Sequence, residues 1–351
     1  MKQFRCPTCR ERVLFERERC RKCGTDLMFD PRQSMMRALS APCANRALIG
    51  CNWIAGDGGA LCACCELTRT IPDLGSARNV ILWKKVEQAK RRLLYDLDRL
   101  GLPTVFARGP GLEQGPHLAF DILSEETAGH PIMTGHADGL ITLNLAEADD
   151  AEREARRIAL REGYRTLLGH VRHEVGHFYW DMLVAQSNWT IPFRAVFGDE
   201  RADYQLALAA YHDRADRTFD PKGFISEYAT SHPWEDWAET FAHFLHIVST
   251  LDSAASLPLA LGERARHTLA DPYLESDFEA LLWSWTPLAD SLNELNRSVG
   301  QSEAYPFELS PAAKGKLHFV HMVIARFRNG RRRTAAPHAA ADELTAAASS
   351  W

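Results

Sequence analysis

The sequence predicts an α+β fold in which a small cysteine-rich module precedes a larger, mainly helical domain with a small sheet. All nine cysteines of the 351-residue chain lie between Cys6 and Cys65. Beyond them, apolar residues recur mostly at helical spacing, and two short segments alternate between apolar and polar residues. With 46% hydrophobic residues, the chain can bury a full core. We place the module at residues 1–66, the larger domain at 67–330 and a disordered tail at 331–351.

Composition and charge narrow the possible partners. The net charge of -5, with both signs mixed along the chain, gives no global attraction to nucleic acid or to anionic membrane. No segment approaches the roughly 18 apolar residues of a spanning helix, and the N-terminus reaches a cysteine pair without an apolar signal segment. Clustered cysteines suit thiolate metal sites in a reducing compartment. These features predict a cytoplasmic protein without membrane contact.

The first cysteine set consists of two Cys-x-x-Cys pairs separated by ten residues, Cys6 with Cys9 and Cys20 with Cys23. This pattern is typical of structural zinc sites. Four thiolates close a tetrahedral shell and leave no open position, so the site is expected to fold the segment rather than to catalyse. A rubredoxin-like iron site with the same ligands is the alternative.

A second cysteine set is less regular. Cys43, Cys51, Cys62 and Cys65 could hold a second structural zinc, although Cys64 competes with its neighbours. The alternative is a group of buried or free thiols, since cysteine can act as a small apolar residue. The module lacks long periodic stretches, so metal rather than a hydrophobic core is expected to hold it.

Basic residues around the first set could present a surface to nucleic acid or to a protein partner. A solvated scaffold face is the simpler interpretation. The residues concerned are Arg10, Arg12, Arg17, Arg19, Arg21 and Lys22.

The larger domain is predicted to open with a helix over 80–100 that ends at Pro103. Alternation at 117–123 and 140–145 indicates two strands of one small sheet, separated by glycine-rich turns. Helical spacing continues over 150–185, with a break near Gly163. Further helices are expected around 199–212, 234–249, 275–297 and 311–328.

The segment His173-Glu174-Val175-Gly176-His177 carries the clearest chemistry. On a helix, His173 and His177 share a face and can offer two imidazoles to one zinc, with Glu174 beside them. Zinc with three protein ligands keeps a position for water and lowers its pKa toward about 7, and Glu174 would act as general base. This predicts hydrolysis of peptide or related amide bonds. Chance spacing is the alternative, and His170 on the same face is more often a packing residue than a ligand.

Substrate binding could use the alternating segment before this helix, because an edge strand can bind a peptide by strand addition. A third zinc ligand should follow downstream, and two acidic segments compete. Glu200 follows His177 at a spacing similar to that of thermolysin-like enzymes, with Asp203 as its partner. In the other segment, Pro233 can open a helix on which Glu235 and Glu239 lie one turn apart. Such a glutamate pair is otherwise common on solvated helix faces.

The second segment, Glu235-Asp236-Trp237-Ala238-Glu239-Thr240-Phe241 with Tyr228 before it, resembles the second motif of the anthrax-lethal-factor-like zincins. The resemblance implies that Glu235 is the third zinc ligand and that Glu239 hydrogen-bonds a ligand histidine. It also implies that Tyr228 donates a hydrogen bond to the developing oxyanion. On this ground we favour Glu235 over Glu200.

Over nearly its whole length, the chain also resembles a bacterial family of zinc-binding metallopeptidases with an N-terminal zinc ribbon. The resemblance implies a zincin-type peptidase with one catalytic and one or two structural Zn²⁺ ions, acting on a peptide or protein. The alternative is a zinc-ribbon protein that binds protein or nucleic acid and carries an inactive zincin domain. The likeness is carried by Cys43 with Cys51-Asn52-Trp53, by Leu67-Thr68-Arg69-Thr70-Ile71-Pro72-Asp73, by Tyr164-Arg165-Thr166-Leu167-Leu168-Gly169-His170 and by Gly198-Asp199-Glu200-Arg201-Ala202-Asp203-Tyr204.

Overall fold

The N-terminal part is built from short strands and turns around the cysteines. A computed structural model describes residues 3–106, 115–159, 164–214, 220–257 and 269–335 of the chain. Two antiparallel hairpins come first, and two single-turn helices follow them. The elements are β1 (Phe4–Arg5), β2 (Arg12–Val13), β3 (Leu27–Asp30), β4 (Met35–Ala38), α1 (Arg46–Ile49) and α2 (Ala63–Glu66).

An aromatic cluster fills the space between these hairpins and the first long helix. Phe15 packs edge-on against Phe29 at 4.9 Å between ring centroids and against Tyr95 of the long helix at 5.5 Å. Phe4 and Trp53 complete the cluster, and all five rings are buried. The expectation that metal alone holds this module is therefore wrong. The module shares its core with the rest of the chain.

The long helix α3 (Ala77–Leu100) begins where the Ser76 hydroxyl accepts a hydrogen bond from the Asn79 backbone N–H at 3.5 Å. It ends at Gly101, which adopts φ 74°. The last helical residue, Leu100, is the one predicted from the sequence. Gly101 rather than Pro103 closes the helix, because glycine takes the left-handed conformation before the proline is reached.

A four-stranded sheet follows, and it confirms both predicted strands. It contains β5 (Thr68–Thr70), β6 (Ala119–Leu123), β7 (Gly135–Ala137) and β8 (Leu140–Asn144), in the order β5-β6-β8-β7. Strand β6 runs parallel to β5 and β8, whereas β7 is antiparallel to β8. The segment predicted as an edge strand is therefore interior as β8. The edge nearest the candidate site is β7.

The remaining chain is helical. Two of its helices, Leu167–Trp180 and Pro233–Ser256, cross closely and carry the candidate site between them. The helical stretch predicted over 150–185, with a break near Gly163, consists of two helices and a π-helical turn, Asp181–Ala185. Gly163 itself lies outside the described residues. The helices are α4 (Glu125–Ala128), α5 (Asp150–Ala159), α6 (Leu167–Trp180), α7 (Thr190–Phe197), α8 (Tyr204–His212), α9 (Pro233–Ser256), α10 (Phe278–Ser298) and α11 (Pro311–Ala335).

Helix α11 is longer than the helix predicted around 311–328. It continues to Ala335, because arginine and alanine in its last turns are good helix formers. Residues 336–351 of the predicted tail lie outside the described residues. Among the helices that are described, none combines the length and the apolar character needed to cross a bilayer. The α+β architecture with an N-terminal cysteine module is confirmed.

Candidate metal centres and active site

Two helices bring the candidate catalytic residues together. Helix α6 starts where the Thr166 hydroxyl accepts from the Gly169 backbone N–H, and it carries His173 and His177 on one face. Helix α9 starts with Pro233 in its first turn, as predicted, and places Glu235 opposite the histidines. His173 Nε2 lies 3.2 Å from His177 Nε2 and 2.9 Å from Glu235 Oε2. His177 Nε2 lies 3.3 Å from the same oxygen.

These three distances fit a zinc ion. Zinc–nitrogen bonds of about 2.1 Å at tetrahedral angles separate two ligand atoms by about 3.4 Å. The tautomer of His173 gives a second reason. Its Nδ1 lies 2.7 Å from Glu239 Oε1 and donates to that carboxylate, so Nε2 of the neutral ring carries a lone pair. Two imidazole nitrogens and a carboxylate oxygen therefore converge at the range expected for the ligands of one cation.

The electrostatics of the group point the same way. Burial lowers the pKa of His173, but hydrogen bonds to Glu235 and Glu239 outweigh it and raise the pKa well above its usual range. Burial raises the pKa of Glu235, yet His177 and His173 hold it well below its usual range. Glu239 is likewise held at a pKa of about 2, against the effect of burial, mainly by His173. The group therefore stabilises positive charge in a buried place.

Glu174 and Tyr228 flank this group. Glu174 is half-buried, and burial raises the pKa of its carboxyl group. This carboxyl group makes no hydrogen bond within the described parts of the chain. Tyr228 starts a 3₁₀ turn, Tyr228–Thr230, and its ring centroid lies 5.8 Å from that of His173. Tyr228 therefore lies beside His173, and Glu174 follows His173 directly on α6.

Glu200 and His170, the other candidate zinc ligands, contact residues outside this group. The Glu200 carboxylate accepts from the Arg194 guanidinium, with Nε at 2.9 Å from Oε2. The group of possible ligands that the structure assembles holds Glu235 and omits Glu200. His170 Nδ1 lies 3.2 Å from Glu147 Oε2 and belongs to a separate ion-pair cluster.

Both cysteine sets converge as well. In the first set, Cys6 Sγ lies 3.6 Å from Cys23 Sγ, and Cys9 Sγ lies 3.6 Å from Cys20 Sγ. In the second, Cys51 Sγ lies 3.6 Å from Cys62 Sγ and 3.9 Å from Cys65 Sγ, and the Cys62 backbone N–H points at Cys43 Sγ. Zinc–sulfur bonds of about 2.3 Å give a tetrahedral edge of about 3.8 Å. The donor atoms of both sets thus fit zinc.

Cys64 lies outside the second set. Its Sγ faces Glu87 Oε2 at 3.6 Å, and its side chain is fully buried. Cys64 and Cys65 follow each other on the short helix α2, and the group of possible ligand atoms contains Cys65 and omits Cys64.

Comparison with known proteins places the chain in a family. Residues 79–323 match the model of the family described as "Putative zinc-binding metallo-peptidase". The chain belongs to this family. Residues 3–42 and 40–76 each match a zinc-ribbon domain. Proteins of Mycobacterium bovis and of Mycobacterium tuberculosis H37Rv, both described as uncharacterized, are 42% identical over 339 residues, which covers 92% of this chain and 95% of theirs. No solved structure matches the chain.

Three residues of this zinc-binding metallo-peptidase family member make contacts at the site that were not foreseen from its sequence. Tyr204 donates its hydroxyl hydrogen to Glu235 Oε1 at 2.6 Å. Ser226 donates to Glu239 Oε2 at 2.6 Å and accepts from the Ala229 backbone N–H, which ties the turn that carries Tyr228 to α9. The Trp234 ring packs on His177 at 3.9 Å between centroids. Of these residues, only Tyr204 could have been noticed from the sequence, because it is the last residue of the segment 198–204 that carries the family likeness.

Proposed function

We propose that this family member is a zinc-dependent peptidase that hydrolyses peptide or related amide bonds. The observation that carries the proposal is the convergence of His173, His177 and Glu235. Glu174 follows His173 on the same helix, and its carboxylate makes no hydrogen bond to the described residues. In this proposal Glu235, rather than Glu200, completes the ligand set. When bound, zinc supplies Lewis acidity and lowers the pKa of water toward about 7.

Glu174 serves as the general base. It accepts a proton from the attacking water and returns it to the leaving amine. Partial burial raises the pKa of its carboxyl group, which suits a group that must hold a proton between these two steps. Because Glu174 is free of hydrogen bonds to the described residues, its carboxylate keeps both oxygens for the water.

Tyr228 stabilises the negative charge that develops on the carbonyl oxygen, by donating its hydroxyl hydrogen. Ser226 fixes the turn of Tyr228 to Glu239, and Glu239 in turn orients His173. A single chain of hydrogen bonds therefore sets both the tilt of the imidazole and the position of the oxyanion donor.

The substrate is an extended peptide that adds to the edge of the sheet. Strand β7 pairs with β8 on one side, and no described strand covers its other side. His136 on β7 stacks on His177 at 6.2 Å between centroids, so the open edge lies beside the candidate centre. Backbone pairing binds peptides of many sequences, which suits a protein or peptide substrate. Thiols held in metal centres suit a cytoplasmic location.

The test compares three zinc-loaded proteins acting on unfolded casein and on a mixed peptide library. We expect cleavage by the wild type, and cleavage at least about 100-fold slower by Glu174→Gln at unchanged zinc content. Glu126→Gln is the matched control, because Glu126 is an exposed glutamate on α4. Equal cleavage by the wild type and Glu174→Gln, or no cleavage by a fully zinc-loaded wild type, would overturn the proposal.

A further inference from the structure

Two consecutive cations of α3 are buried where this helix packs on α2, the short helix that carries Cys64 and Cys65. Arg91 lies one helical turn after Glu87, whose Oε2 is 3.6 Å from Cys64 Sγ. Lys90 and Arg91 are 0% and 1% exposed. Lys90 is fully satisfied: its Nζ lies 3.0 Å from Glu87 Oε1, donates to the Thr68 hydroxyl and lies 3.4 Å from the Cys64 carbonyl oxygen. Glu87 also accepts from Thr68 and from the Trp83 indole. The Lys90–Glu87 pair is therefore neutral by itself.

Arg91 has no such partner within the described residues. Its Nε and Nη1 atoms are buried without a hydrogen bond. Burying a charge without compensation costs several kcal/mol, so a guanidinium in this place needs negative charge nearby. Burial lowers the pKa of Arg91, whereas its neighbours Cys51, Cys64, Glu87 and Cys65 raise it. Because Glu87 is already paired with Lys90, the negative charge left to compensate Arg91 is that of the cysteines.

Four neutral thiols cannot supply this charge, whereas four thiolates around one divalent zinc carry a net negative charge. We propose that Arg91 is a positioning residue of the second cysteine centre, where its buried guanidinium compensates the charge of the metal tetrathiolate. Metal at this centre and the burial of α3 then stabilise each other. This inference does not rest on the proposed peptidase activity.

The first cysteine centre provides an internal contrast. None of the described Lys or Arg residues between positions 3 and 42 is buried, and the ligand-type residue Cys23 is exposed. In the second centre all four cysteines are buried. The two centres therefore differ in both charge compensation and solvent access. We expect the first centre to lose its metal quickly and the second slowly.

Cobalt distinguishes the cysteine centres from the group of His173, His177 and Glu235, which we call the His173 group. Charge-transfer absorption from sulfur to Co²⁺ arises only at the cysteine centres, because the His173 group contains no sulfur. The full chain is loaded with Co²⁺ and mixed with excess chelator and an alkylating reagent. We expect a fast and a slow loss of absorbance. Mass spectrometry should find Cys9 and Cys23 alkylated in the fast phase, and Cys51 and Cys62 only in the slow one.

The variant that tests the role of Arg91 is Arg91→Met. It should accelerate the slow phase at least about tenfold and leave the fast phase unchanged. Arg92→Met is the matched control, because Arg92 is the next residue of α3, is 43% exposed at its side chain and pairs with Glu16. Arg91→Lys keeps the charge and should stay close to the wild type.

Three outcomes would overturn the inference. They are an unchanged slow phase in Arg91→Met, alkylation of Cys51 before Cys23 in the wild type, and an Arg91→Lys protein that loses its metal as fast as Arg91→Met. If Arg91→Met yields no folded protein, Arg91→Lys decides alone, since retention of its slow phase requires the charge and not the shape of the side chain.

Discussion

Tyr204 acts on the candidate zinc site through Glu235. Its hydroxyl donates to Oε1 at 2.6 Å, which leaves Oε2 as the oxygen that faces His173. A hydrogen bond of this kind fixes the orientation of a ligand carboxylate. We expect Tyr204→Phe to weaken zinc binding by the His173 group about 10-fold to 100-fold while the cysteine centres keep their metal. Competition titration with a chelating dye, followed by elemental analysis, measures both.

The control for this change is Tyr211→Phe. Tyr211 lies on the same helix α8, and its hydroxyl donates to Glu227 at 3.4 Å, away from the ligand-type atoms. Zinc affinity should be unchanged in this variant. An equal loss in both variants would mean that helix α8 has been destabilised, and the specific role of Tyr204 would then be refuted.

Single residues were predictable from the sequence where spacing along one helix decides their relation. The i, i+4 positions of His173 and His177 required nothing beyond helical geometry. The choice between Glu235 and Glu200 required distances between elements, which spacing does not contain. Arg194 neutralises Glu200 across a turn, and that contact exists only after folding. A resemblance to known zincins, rather than local physics, favoured Glu235.

At the scale of elements, the crossing of α6 and α9 depends on Gly176. A Cβ atom at this position would lie 3.0 Å from Ala238 Cα and 3.2 Å from its carbonyl oxygen. Trp237 adds a hydrogen bond from its indole to the Gly176 carbonyl oxygen at 2.9 Å. Backbone atoms cannot move aside as a flexible side chain can. We expect Gly176→Ala to lower the free energy of unfolding by about 1–3 kcal/mol, measured by denaturant titration.

Gly315→Ala is the matched control for this crossing. Gly315 also lies within a helix, α11, but nothing stands within 4 Å of its added Cβ. Removing the flexibility of glycine there should raise the free energy of unfolding by about 0.5–1 kcal/mol. If both variants shifted in the same direction, helix propensity rather than close packing would control the stability at Gly176.

Elements were predicted well where periodicity is long and less well where turn chemistry decides. The strands β6 and β8 follow from alternation, but the edge strand β7 was missed. Its signal was the dipeptide Asp138-Gly139, whose positive φ angles of 50° and 85° form a two-residue hairpin turn. The same principle explains α3, which ends at Gly101 and not at Pro103. At both points the local backbone conformation, rather than the apolar pattern, determines where the element begins or ends.

At the scale of the whole molecule, the predicted boundary after residue 66 separates the cysteine motifs from the helical domain but does not divide the hydrophobic core. Phe15 and Phe29 bury their rings against Tyr95 of α3, so the cysteine module and the helical domain share apolar contacts. Sequence patterns could not reveal this, because each strand of the module is only two to four residues long. The boundary itself stays a prediction.

A buried carboxylate also joins distant elements into one molecule. Glu147 lies in the turn after β8, and its Oε1 accepts from Arg156 of α5 at 2.8 Å and from Arg165 at 3.0 Å. His170 of α6 stands 3.2 Å from the other oxygen. Burial raises the pKa of Glu147, but His170 and Arg165 outweigh it and lower the pKa to about 2. The charged form of Glu147 thus holds the sheet to two helices.

Acid should therefore weaken the whole fold through this carboxylate. Its pKa is depressed in the folded state, so its contribution is complete above about pH 4.5 and is lost as the pH falls toward about 2. The difference corresponds to at most about 3 kcal/mol.

Glu147→Gln should be less stable at neutral pH and should lose less stability on acidification over this range, as followed by denaturant unfolding at several pH values. Glu154→Gln should alter the pH dependence much less, because the exposed pair of Glu154 with Arg157 is screened by solvent. Parallel stability curves for the wild type and Glu147→Gln would place the acid sensitivity elsewhere, because only a group whose pKa changes on folding can give stability a pH dependence.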